Sequence, residues 1–179
     1  MRSSLHRFDA NVTQWVAGFF GQSLRPFFEV MTMLGDPIAI GVVTVAVITA
    51  GIYSSSMRLA TAGAAIPATL LVGALLKLLF ERARPLTDYA MNMKIHTFSF
   101  PSGHSSGSMI AYGLLAYLAF MKLPGPWNIL AGVALLLVPI FVGLSRVYLG
   151  AHFPSDVLAG WALGLAALAL VIFVVRPLA

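Results

Sequence analysis

The chain of 179 residues contains no cysteine. That removes disulfide frameworks, thiolate metal sites and cysteine nucleophiles from the chemistry open to it. Charge is almost as scarce, since 9% of residues are charged and only six are acidic. Soluble domains carry roughly 25% charged residues, so a chain this depleted cannot keep an ordinary surface wetted. Internal repeats, low-complexity tracts and a dense basic stripe are missing too. The first absence argues against the inverted repeats of many transporters, and the last against a surface that follows a nucleic-acid backbone.

What fills the chain instead is apolar, with 59% hydrophobic residues and a mean hydropathy of +0.91. Five stretches, at 37 to 54, 59 to 80, 104 to 121, 127 to 145 and 156 to 175, approach the about 20 residues that carry a helix across a bilayer. Between them, Tyr53 to Arg58, Lys122 to Pro126 and Ala151 to Ser155 have the polar, Gly and Pro punctuation of turns. The pattern predicts an all-α integral membrane bundle of about five spans, forming a single domain over residues 1 to 179. The longest connection, Glu81 to Pro101, is too polar to lie in lipid and is expected to cap one end of the bundle.

Residues 1 to 35 differ from the core at 36 to 179. Val12, Trp15, Val16, Phe19, Phe20, Leu24, Phe27, Phe28, Met31 and Leu34 recur at three- and four-residue steps, with Gln14, Gln22, Ser23, Arg25 and Glu29 between them. This predicts one or two amphipathic helices, broken at Arg25-Pro26 and lying in the membrane interface; a distorted sixth span is the alternative. A cleavable signal peptide is not expected, for want of a clean apolar core and a small-residue cleavage site.

A charge in or beside the hydrocarbon layer costs roughly 2.5 to 3.5 kcal/mol on insertion scales, so the polar clusters that remain are candidate functional residues. With five spans, connectivity alone brings three such clusters to one face. Arg58, Lys122 and Arg176 lie at the opposite ends of the spans, which marks that face as cytoplasmic and points the clusters away from the cytoplasm.

The first cluster is Lys77 and Arg84, seven residues apart and followed by Pro85. About two helical turns put a point charge and a planar guanidinium on one side, a suitable pair for a phosphate. Snorkelling anchors of a helix end are the alternative, which suits Arg84 better than Lys77, deeper in the lipid. In the second cluster, Pro101-Ser102-Gly103-His104, a helix begins where the backbone is free of bulk, so its unpaired amides can receive an anion. Ser102 can cap that helix or donate to a phosphate oxygen, and His104 offers a proton near neutral pH; a plain capped helix start with an interfacial histidine also fits.

The third cluster joins Ser145-Arg146 to His152 and Asp156. Four residues across a turn let the carboxylate accept a hydrogen bond from one imidazole nitrogen and leave the other free to attack, while Asp156 can also serve as the N-cap of the last span. Two histidines and an aspartate could in principle hold a metal, but Lys77, Arg84 and Arg146 around them would repel a cation, so no metal and no cofactor are expected.

Taken together, Lys77 to Arg84-Pro85, Pro101-Ser102-Gly103-His104 and Ser145-Arg146 to His152 and Asp156 closely resemble the signature of the type 2 phosphatidic acid phosphatase superfamily, complete in order and spacing. The resemblance implies a helical core with its site at one end and metal-independent hydrolysis of a lipid phosphate or pyrophosphate. It implies a phosphohistidine on His152, oriented by Asp156, with His104 protonating the departing oxygen, and Lys77, Arg84, Arg146, Ser102 and the Gly103 amide holding the phosphoryl oxygens. Members commonly have six spans, and this chain lacks an apolar first one. Vanadate-binding haloperoxidases share the motifs but are soluble. The expected partners are the bilayer and a lipid phosphate, without nucleic acid. The expected location is a bacterial inner membrane with the site facing the periplasm or outside. Undecaprenyl pyrophosphate is the favoured substrate, with phosphatidylglycerophosphate, phosphatidate and lipid A phosphates as alternatives. A transporter for an anionic lipid or an ion is the alternative of another class.

Overall fold

The structure is a computed structural model that describes residues 2–93 and 97–175. Its elements are α1 (Arg2–Phe20), a 3-10 turn (Gln22–Leu24), α2 (Arg25–Met33), α3 (Pro37–Tyr53), α4 (Met57–Phe80), the short α5 (Asp88–Met91), α6 (Gly103–Lys122), α7 (Trp127–Tyr148) and α8 (Pro154–Val175). The five long helices α3, α4, α6, α7 and α8 fall where the apolar stretches predict spans. By length and apolarity alone, α4, α7 and α8 qualify among the described residues, and the turn with α2, bent by 42° from α3, makes a fourth with it.

Helix α6 falls short of the apolar test because lipid is not its environment. It runs through the middle of the bundle, packed on α4, α7 and α8, and buries Ser105, Ser106 and Ser108 together with Ile110, Ala111 and Leu114. Small residues let backbones approach where hydrophobic burial cannot drive association. A Cβ at Gly160 would sit 2.6 Å from the Ser102 carbonyl oxygen, and one at Gly164 would sit 2.7 Å from that of Ser106, so α8 lies directly against α6. Ile40, Val47, Ile66, Ile110, Leu114 and Val171 fill the core between α3, α4, α6 and α8. On the outside, Ile38, Val42, Leu71, Leu79, Ile129, Leu130, Leu170 and Phe173 are exposed. An apolar surface this continuous is made for lipid chains.

At the N-terminus two helices form over the stretch with amphipathic periodicity, with changes of detail. Helix α1 ends at Gly21, which turns the chain at φ 59, and Pro26 sits in the first turn of α2, where a proline fits a helix, so the break precedes Arg25-Pro26. Val16 and Phe28 are buried, while Trp15 and Phe19 point outward. Phe28 stacks on Tyr148 at 4.4 Å between ring centroids and meets Phe20 edge-on at 5.0 Å. The inward face of α1 also carries a charge, the fully buried Asp9.

The helix order brings the expected ends together. The ends of α4 and α7 and the starts of α6 and α8 share one end of the bundle, covered by the connection from Glu81. Arg58 and Lys122 line one groove at the other end. Arg176 lies outside the described residues.

Candidate active site

Lys77, Arg84, Gly103, His104, Arg146 and His152 line a single cavity of about 240 Å³, closed toward the bundle by Gly35, Pro37, Ile40 and Leu70. Residues from four separate segments converge because each sits at the end of a helix or in the loop beside it. Lys77, in the last turn of α4, donates from Nζ to the Phe98 carbonyl at 2.8 Å. Arg84 follows in the covering loop, its Nε donating to the Thr97 carbonyl at 2.8 Å and its Nη2 to Thr97 Oγ1 at 3.1 Å. Arg84 Nη1 reaches the Ala151 carbonyl at 3.1 Å and His152 Nε2 at 3.2 Å.

Arg146 is the largest fully buried side chain among the described residues. From the last turn of α7 its Nη1 donates to Thr32 Oγ1, Nη2 lies 3.8 Å from Met93 Sδ, and its guanidinium faces the Tyr89 ring. Its carbonyl accepts from the amides of both Ala151 and His152, at 2.9 and 3.1 Å. That tight turn requires Gly150 at φ 73 and folds His152 back against the end of α7.

His152 is 2% exposed, and burial, reinforced by Arg146 and Arg84 and opposed by Asp156, pushes its imidazole down to about 3. It is held as the neutral base, the form able to attack phosphorus.

Asp156 lies near His152, but its hydrogen bonds go elsewhere. Its Oδ2 is 3.5 Å from His152 Nδ1, a close electrostatic contact longer than a hydrogen bond. Oδ2 accepts instead from the Phe153 amide at 3.0 Å, and Oδ1 from Arg82 Nη1 at 2.6 Å. Asp156 is the third residue of α8 and reaches back to the amide preceding the helix, so it completes the start of α8 from inside, where an N-cap was expected. The Asp156 carbonyl also accepts from the Ser102 amide at 3.0 Å, tying the starts of α8 and α6 together.

At α6, Ser102 is the N-cap. It is fully buried, and its hydroxyl oxygen accepts from the Ser105 amide and from Ser105 Oγ at 3.0 Å, so of its two expected roles the structure shows the cap. Gly103 does face the cavity, and a Cβ there would meet nothing within 4 Å, which leaves its amide open to an oxygen. His104 Nε2 is 2.7 Å from Asp36 Oδ1. Asp36 is the N-cap of α3 yet makes no side-chain cap bond, its carboxylate being turned to the histidine. The approach is close: a Cβ at Gly35 would sit 3.1 Å from His104 Cδ2.

The cationic and imidazole side chains of the cavity are thus legible in the sequence, and what holds them is not. Asp36 before a proline reads as a helix cap, and Asp9 on an amphipathic helix reads as a solvated residue. Arg82 lies two residues before Arg84 in the chain, and nothing in that spacing shows which carboxylates it meets.

A model of the PAP2 superfamily matches residues 58–178. The chain belongs to the PAP2 superfamily. Among curated relatives it is 43% identical over 101 residues to phosphatidylglycerophosphatase B of Bacillus subtilis (strain 168), covering 53% of this chain and 47% of that protein. It is 32% identical over 100 residues to an undecaprenyl-diphosphatase of Sulfolobus acidocaldarius, covering 53% of this chain and 44% of that one. The chain thus spans about half the length of these relatives. A solved transmembrane PAP2-type phosphatidylglycerolphosphate phosphatase from Bacillus subtilis superimposes with a TM-score of 0.82 at 26% identity, over 98% of this chain and 88% of that one. That coverage takes in α1 and α2 as well as the PAP2 core, so the N-terminal helices have counterparts in a transmembrane protein.

Proposed function

We propose that this PAP2 protein is a metal-independent lipid phosphatase acting through a phosphohistidine. The observation that carries the reading is that His104 and His152 line one cavity with Lys77, Arg84 and Arg146. Two imidazoles and three cations around one small space suit a tetrahedral anion. Arg84, Arg146, Lys77 and the Gly103 amide take the phosphoryl oxygens, and this positioning and charge stabilisation supply most of the rate in phosphoryl transfer.

In the first step His152 Nε2 bonds to phosphorus as the bond to the leaving oxygen breaks, and His104 gives that oxygen a proton. In the second, water attacks the phosphohistidine, His104 takes the water proton, and inorganic phosphate departs with His152 restored. Asp36 sits where it can hold His104 and stabilise the charged form that donates in the first step and is regenerated in the second.

For the substrate, the proposal is a lipid carrying a phosphate or pyrophosphate, with undecaprenyl pyrophosphate first and phosphatidylglycerophosphate as the competing choice. Relatives named for each support testing both. The proposal extends to a site facing out of the cytoplasm of a bacterial inner membrane, a reading that Arg58 and Lys122 at the far end support.

The test is phosphate release by the purified protein in detergent, with chelator present, from undecaprenyl pyrophosphate, phosphatidylglycerophosphate, phosphatidate and lipid A phosphate. Release from at least one is expected. No release from any of them shifts the weight to transport, and release that disappears only with chelator overturns the metal-independent mechanism.

A further inference from the structure

Arg82 links helix α1 to the residues beside His152. Its Nη1 donates to Asp156 Oδ1 at 2.6 Å and to Ser155 Oγ at 2.7 Å, and its Nη2 to Asp9 Oδ2 at 2.6 Å. The guanidinium stacks over the Phe153 ring, 4.3 Å from its centroid. Asp9 in turn accepts from the Ser155 amide and from Ser155 Oγ, both at 2.9 Å. The carboxylates of Asp9 and Asp156 are 2% and 0% exposed.

We propose that Arg82 and Asp9 are positioning residues for the reaction, with α1 supplying Asp9 to lock the guanidinium that orients Asp156 beside His152. The inference rests on the phosphatase reading above. Neither side chain lines the cavity, so neither binds the phosphoryl group. Their effect passes through Asp156, whose Oδ2 faces His152 Nδ1 while Oδ1 is held by Arg82. A buried carboxylate close to an imidazole fails in its role if it swings away. One guanidinium shared by two carboxylates resists that, because its planar fork fixes direction.

The geometry also explains why α1 is docked by a charge. Trp15 and Phe19 on its outer face can be seated by lipid anywhere along the interface. Asp9 fits only one place, where the Ser155 amide and Arg82 both point at it. The start of α8, with Asp156 in its first turn, is thereby fastened to a helix that lies outside the PAP2 match.

The experiment measures kcat and KM for lipid-phosphate hydrolysis by wild type, Asp9→Asn, Arg82→Lys, Arg82→Gln and the Asp9→Asn/Arg82→Gln double variant. Thermal unfolding in detergent is followed alongside. Asp9→Asn keeps an oxygen for the Ser155 amide and loses the charge and the acceptor that face Arg82, so it tests the idea without requiring a large repacking. Arg82→Lys keeps the charge and loses the fork. Residues that orient a primary catalytic group change activity by between about 10- and 100-fold. A fall in kcat on that scale with KM unchanged is expected for Asp9→Asn and Arg82→Gln, with partial recovery in Arg82→Lys and a double variant no slower than Arg82→Gln alone. Wild-type kcat in a folded Asp9→Asn variant, or losses that multiply in the double variant, overturns the proposal. So does a rise in KM at constant kcat. A wild type that releases no phosphate overturns the phosphatase reading first, and this inference with it.

Discussion

Arg84 Nη1 lies 3.2 Å from His152 Nε2. A guanidinium offers only donors and keeps its proton, so Nε2 is the acceptor and the ring proton belongs on Nδ1, facing Asp156. The pair thus selects the nitrogen with the free lone pair and covers it with the same side chain that would hold a phosphoryl oxygen. Substrate oxygens that take over the Arg84 fork release the nucleophile as they bind.

Replacing His152 with Ala removes the attacking nitrogen. Hydrolysis is expected to fall by about 10³-fold or more, with helicity by circular dichroism unchanged. Near-normal phosphate release from the folded variant contradicts the assignment. Asp156→Asn is expected to slow turnover while leaving the cavity intact, and an unchanged rate would reduce Asp156 to a part of the helix start.

The low affinity of His152 for a proton fixes the sign of two pH effects. The neutral ring attacks, so the acid limb of kcat/KM set by His152 is expected well below pH 6.5. Arg84→Gln deletes one of the positive charges that push the ring down, so the limb moves to higher pH while the rate drops. Its position, rather than its height, is the measurement, and a limb that stays put rejects the coupling. Stability follows the same direction. Below about pH 6.5 the unfolded chain takes up a proton that folded His152 refuses until about 3, so this group's contribution is fully present above 6.5 and is lost as the pH falls through that window.

His104 as proton donor predicts a dependence on the leaving group. His104→Asn is expected to cost about 10²- to 10⁴-fold on an alkyl phosphate ester and far less on p-nitrophenyl phosphate, whose leaving group departs without a proton. Asp36→Asn should follow the same trend more weakly, because it removes only the partner 2.7 Å from the ring. Equal losses on both substrates would take general acid catalysis away from His104.

Close contact of α8 with α6 is testable without touching a polar group. A Cβ at Gly160 would lie 2.6 Å from the Ser102 carbonyl and 2.8 Å from Ser105 Cβ. Gly160→Val must push apart two helix starts that carry Gly103 and Asp156. A loss of about 1–3 kcal/mol in stability is expected, read as a lower Tm in detergent, together with reduced phosphate release. An unaltered Tm rejects the close packing.

The sequence by itself determined the helical membrane bundle, the five long helices and the end at which the motif residues meet. Hydrophobic length and turn chemistry are local properties, and span parity carries them to a common face. It also singled out the cations and imidazoles that line the cavity, because charges retained among so many apolar residues stand out. Only the tertiary structure decided how those charges are held: Asp156 bonded to Arg82 with His152 at 3.5 Å, Ser102 committed to its helix, and Asp36 and Asp9 turned inward. Whether a carboxylate caps its own helix, faces water or meets a cation depends on what another segment brings within 3 Å of it. Asp9 and Arg82 are 73 residues apart, and no local pattern encodes their meeting.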